Sequence, residues 1–134
     1  MIIINKNSNN TFQLTLTENI TLTSPNYLFE FKSDVSNEAV YFIAADTSAY
    51  QERYNEFTVT ETTGTNILTS GTITLDPQGL WTYRVFEQSS SSNLNPSLAD
   101  NTTPLEIGKV RVKGNSTVDW TFNDNDTDTY EVNE

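Results

Sequence analysis

Any chemistry done by this chain has to be done by carboxylates. Its 134 residues include 18 Asp and Glu but no histidine and no cysteine. Without imidazole or thiol there is no Ser-His or Cys-His nucleophile pair, no histidine acid–base catalyst, and none of the usual nitrogen and sulfur ligand sets for zinc. A glycosidase needs only two carboxylates, set about 5 to 10 Å apart across a sugar cleft. A domain this small has little material for a deep cleft, so the sequence reads as non-enzymatic and without a cofactor.

Three further groupings have a functional and a plain reading. Asp124, Asn125, Asp126, Thr127 and Asp128 alternate oxygen ligands as the start of a calcium loop does. An EF-hand needs Gly at the sixth loop position, where Thr129 stands, and Glu at the twelfth, which falls beyond Glu134. Solvated acids are the better reading. Trp81, Tyr83 and Phe86 have the chemistry of a stacking platform, but Trp81 and Tyr83 share one face of a strand and Leu80 and Phe86 the other, a pattern of core. Asn-x-Ser/Thr sequons at Asn9, Asn19, Asn101, Asn115 and Asn125 fit a composition rich in Asn and Thr, and no signal peptide accompanies them.

The elements that hold these residues are strands. Period-2 alternation with β-branched and aromatic residues recurs at residues 12–16, 27–32, 40–43, 57–60, 72–75, 80–87 and 105–112. Turn chemistry separates them: Asn9-Asn10, Ser24-Pro25-Asn26, Ser33-Asp34, Thr63-Gly64, Ser70-Gly71 and Asp76-Pro77-Gln78-Gly79. Many short, regularly punctuated strands make a sandwich or barrel. Helix is confined to one turn or a loop at residues 47–54, and residues 89–103 are expected to form an exposed, mobile loop. The apolar phase of residues 105–112 is odd up to Ile107 and even from Val110, which predicts a β-bulge at Gly108-Lys109. Val118, Trp120 and Phe122 alternate as one more strand, over residues 118–122.

Length and charge bound the partners. One domain of this size buries roughly two thirds of its unfolded surface and needs no metal or disulfide. The net charge of −11 argues against nucleic acid. Residues 115–134 hold six acids and no base, leaving twelve acids against seven bases in residues 1–114. The expected organisation is a β-sandwich domain over residues 1–114 and an acidic C-terminal arm over 115–134. The apolar run Met1, Ile2, Ile3, Ile4 is too short for a signal-peptide core and no basic segment precedes it. Cytoplasmic synthesis without membrane insertion is the expectation. Such a run is an edge hazard unless it pairs within the fold or joins a neighbour's sheet. Partner-binding candidates are therefore Met1, Ile2, Ile3 and Ile4 at one end, and Val118, Trp120, Phe122 and Tyr130 at the other.

Asp76-Pro77-Gln78-Gly79-Leu80-Trp81-Thr82-Tyr83-Arg84-Val85 resembles the corner into the sixth strand of immunoglobulin-like domains, with Val85 where the usual cysteine stands. The resemblance implies an immunoglobulin-like sandwich of about seven to nine antiparallel strands, without its disulfide. Over residues 11–114, the blocks beginning at Tyr27, Tyr50, Gly79 and Leu105 are similar to small structural proteins of tailed phages infecting Bacteroidetes, including crAss-like phages. That likeness implies a virion protein assembled in the host cytoplasm and present in many copies or as a homo-oligomer. It would be a capsid auxiliary, decoration or head-fibre attachment protein contacting capsid or other virion proteins. The alternatives are a tail or fibre module that binds a host receptor or glycan, and a stand-alone bacterial adhesin. Added calcium is expected to leave the circular dichroism spectrum and Tm unchanged; a rise in Tm would instead mark residues 124–128 as a calcium site.

Overall fold

The computed structural model describes residues 1–76 and 78–114. The alternating segments form eight strands: β1 (Ile2–Asn5), β2 (Asn9–Leu14), β3 (Asn26–Ser33), β4 (Ala39–Ala44), β5 (Asn55–Glu61), β6 (Thr72–Ile73), β7 (Gly79–Gln88) and β8 (Glu106–Lys113). No α-helix occurs among the described residues; single 3₁₀ turns stand at Thr17–Asn19, Leu68–Ser70 and Pro96–Leu98. Residues 47–54 make one turn, in which the Arg53 and Tyr54 amides donate to the Tyr50 carbonyl at 2.9 and 3.1 Å. Residues 118–122 lie outside the described residues.

The strands form a β-sandwich of a five-stranded sheet, ordered β1-β8-β7-β3-β4, and a three-stranded sheet, ordered β2-β5-β6. Pairing is not antiparallel throughout. β1 runs parallel to β8, and β5 parallel to β6. Alternation sends Phe29, Phe31, Phe42, Trp81, Tyr83, Val85, Val110 and Val112 from the large sheet toward Phe57, Val59 and Leu14 of the small one. Phe29 is the meeting point. Its ring stacks on Phe42 at 5.1 Å and meets Phe57 edge-on at 4.9 Å and Phe12 at 6.1 Å. Each such ring pair is worth about 0.5 to 1.5 kcal/mol beyond the area it buries.

The N-terminal run is paired inside the fold. Ile2 and Ile4 face the core opposite Val110 and Val112, while Ile3 faces outward. Asn9 and Asn10 are not a turn but the first residues of β2. The turn lies just before them, where Asn7 takes a φ of 59°. The buried Asn10 side chain ties this turn down: it accepts from the Asn5 amide at 2.8 Å and donates to the Asn5 and Ser8 carbonyls at 3.1 Å each.

Residues 89–103 are exposed at most positions, as expected of a loop, but the segment also lies over the outer face of the large sheet. Ala99 and the half-buried Leu94 cover Leu28, Ile43 and Phe86 there. Gln88 and Asn93 brace the loop by exchanging hydrogen bonds: the Gln88 amide donates to the Asn93 carbonyl at 2.9 Å and the Asn93 amide to Gln88 Oε1 at 2.7 Å. Leu80, on the same face but beyond the loop's reach, stays exposed.

The bulge at Gly108-Lys109 is absent. β7 and β8 pair without interruption from Gly79 opposite Val112 to Val85 opposite Glu106. Gly108 faces inward and leaves room for the ring of its partner Tyr83, whose hydroxyl donates to the Glu106 carboxylate. Ile107 simply faces solvent. The change of phase in the sequence is a glycine used as space for a neighbour's ring. A Cβ at Gly108 would stand 2.5 Å from Tyr83 Cε1. Gly108→Ala is therefore expected to destabilise the fold by about 1 to 3 kcal/mol through overpacking, measured as a lower urea midpoint with an unchanged m-value.

Candidate functional site

The structure separates the partner-binding candidates. Met1 is 77 % exposed and Ile3 44 %, both available at the sheet edge, whereas Ile2 at 3 % and Ile4 at 0 % are core. Val118, Trp120, Phe122 and Tyr130 lie outside the described residues. The Asp124, Asp126 and Asp128 grouping lies outside them too. Among the described residues, no three His, Cys, Asp or Glu come together as a metal site.

The buried carboxylates tie loops together. Glu87, fully buried, accepts from the Thr21 amide at 2.8 Å, the Thr21 hydroxyl at 2.7 Å, the Leu22 amide at 3.0 Å and Asn101 Nδ2 at 3.2 Å. Burial pushes its carboxyl up, but the Thr21, Leu22 and Asn101 hydrogen bonds outweigh burial and hold it below the usual glutamate range. At the other end of the sandwich Glu61 accepts from the Asn7 and Leu75 amides at 2.8 and 2.9 Å, with Lys6 Nζ 3.7 Å away. Lys6 also bonds the Leu75 carbonyl at 2.9 Å and pairs with Asp76. Each acid closes loops from distant parts of the chain. Burial first and then its bond to Glu106 raise the Tyr83 pKa and keep the phenol protonated.

A polar cleft of about 410 Å³ opens at the loop end of the sandwich, lined by Thr17, Tyr27, Asp46, Glu52 and Asn55 among others. Asp46 is already engaged: it accepts from the Ser48 amide at 2.9 Å, the Glu56 amide at 3.1 Å and Asn55 Nδ2 at 2.7 Å. Tyr27 is buried, and burial, Asp46 and Glu87 together raise its pKa. The cleft thus offers hydroxyls, side-chain amides and carboxylates as hydrogen-bonding groups.

A second chemically distinctive surface is the outer face of the five-stranded sheet. The registers place Ile3, Arg111 and Leu80 in one row, Lys109, Thr82 and Lys32 in the next, and Ile107, Arg84, Glu30 and Tyr41 in a third. Lys113 stands beside Asn5 at the margin. Five of the chain's seven basic residues therefore project from one face of a protein of net charge −11. Arg84 pairs with Glu30 at 3.0 Å and Lys109 with Asp34 at 2.8 Å. Hydrogen bonds from Lys109 and Thr82 lower the Asp34 pKa. Among the described residues Lys32, Arg111 and Lys113 have no acidic partner within ion-pair distance. The alternation of Lys109, Arg111 and Lys113 with Val110 and Val112 is the legible sign of this face in the sequence, away from the terminal candidates.

No protein-family model, curated protein or solved structure matches this chain.

Because the folded-state pKa of Glu87 lies below its unfolded value, the stability it supplies is complete above the ordinary glutamate pKa of about 4.3 and is lost as pH falls through the folded value. Glu87→Gln sets an amide NH₂ against the Thr21 and Leu22 donors and is expected to cost about 1 to 3 kcal/mol at pH 7. The loss should shrink at pH 3, as measured by urea unfolding at both pH values.

Proposed function

We propose that the chain is a non-enzymatic virion structural protein of a tailed phage, attached as a capsid auxiliary, decoration or head-fibre component to capsid proteins or to proteins mounted on them. The finer fold reading is immunoglobulin-like. Its support is the strand order, in which β8-β7-β3-β4 facing β2-β5 follows the G-F-C-C′ and B-E arrangement of variable-type domains. The corner into β7 adds to this: Gly79 takes a φ of 125°, and Trp81 and Tyr83 behind it pack into the core.

The observation that carries the assembly reading is the outer edge of β1. It is the last strand of its sheet, it presents Met1 and Ile3, and it borders the basic and apolar outer face. An unpaired apolar edge favours addition of a neighbour's strand. Multiplicity on a symmetric particle makes many such weak contacts effective together. Attachment through sheet edges and the 115–134 arm follows. The polar cleft favours the second reading, a receptor- or glycan-binding module, because its amides, hydroxyls and carboxylates suit sugar hydroxyls.

Particles produced from the genome that encodes this chain provide the test. The full-length protein is expected to band with purified particles and to occupy symmetry-related density in a cryo-EM map. A variant lacking residues 115–134 should be incorporated less while melting as a folded domain. Particles without the protein, together with specific binding on a glycan array, would overturn the assembly reading in favour of the second.

A further inference from the structure

We infer that in the free protein residues 115–134 cover the outer face of the chain's own five-stranded sheet, held there by Lys32, Arg111 and Lys113. The inference stands on the charge map and does not depend on the virion role. In a chain of net charge −11, a face that gathers five of seven basic residues is the natural seat for an anion. Two of the five cations are neutralised by Glu30 and Asp34, leaving three without an acidic partner among the described residues.

Charge, composition and reach select the occupant. Residues 115–134 carry six acids and no base. Their Val118, Trp120, Phe122 and Tyr130 suit the exposed Ile3, Leu80 and Ile107 that interleave with the cations. The segment begins after Gly114, one residue from Lys113 at the margin of the face. Twenty residues reach up to roughly 66 Å when extended, against roughly 26 Å for the length of β8. A ligand tethered this closely meets its site at a local concentration of order millimolar, which favours the chain's own segment over that of a second copy in dilute solution. A nucleic acid would have to overcome the repulsion of the whole molecule.

The chain has no cysteine, so Thr127→Cys in the full-length protein gives a single site for a nitroxide label without changing charge. Paramagnetic broadening is expected at Ile3, Leu80 and Arg111 and not at Thr11 and Thr58 on the outer face of the small sheet. Screening at 1 M salt, where the Debye length is about 3 Å, should abolish it. So should Arg111→Glu with Lys113→Glu in a protein whose Tm stays within a few degrees of the parent's, both side chains being exposed. Three results would overturn the inference. One is broadening that is absent or equal on the two faces. Another is broadening that persists in the double variant. The third is broadening found only when spin label and isotope are on different chains in a mixed sample, which would assign the face to a second copy's segment.

Discussion

Everything in this fold hangs on the ring of Phe29. It is the side chain through which the two sheets recognise one another, stacked on Phe42 within its own sheet and met edge-on by Phe12 and Phe57 from the other. Phe29 also lies on the strand paired on both sides, to β4 and to β7, so its position fixes the register of the central three strands. A slip of one residue would turn Phe29 and Phe31 to the outside and Glu30 to the inside, which the packing could not accommodate. Once that register holds, β8 pairs with β7, and β1 is captured by β8 in turn.

Strand positions were legible because alternation is a local property, and each of the segments at residues 12–16, 27–32, 40–43, 57–60 and 80–87 lies in or overlaps a strand or packs into the core. What was not legible depends on partners far away in sequence. Gly108 looked like a bulge because the size of Tyr83, 25 positions earlier, is invisible from within residues 105–112. The burial of Glu61 and Glu87 depends on amides of Asn7, Leu75, Thr21 and Leu22, supplied by other loops and invisible in the local pattern. Asn9 and Asn10 have turn chemistry, yet Asn10 stabilises its turn from inside the following strand.

The same division applies to the surface. Half of the apolar N-terminal run became core once β8 was beside it, so Ile2 and Ile4 are spent on stability and only Met1 and Ile3 face outward. The cations became one face only when strands from three parts of the chain were laid side by side: Lys32 from β3, Arg84 from β7, and Lys109, Arg111 and Lys113 from β8. A net charge of −11 conceals this because the acids lie elsewhere in the sequence, six of the eighteen of them in residues 115–134. The surface is thus polarised in a way that an overall pI cannot express.

The parallel pairing of β1 with β8 bears on how the molecule comes into being. β1 must wait for residues 106–113, more than a hundred positions later, which at roughly 5 to 20 residues per second is a delay of roughly 5 to 20 seconds. During that interval three consecutive isoleucines have no sheet to join. Completing the five-stranded sheet is therefore a late event in the life of the nascent chain. The long sequence separation of the β1–β8 pair is of the kind that slows folding.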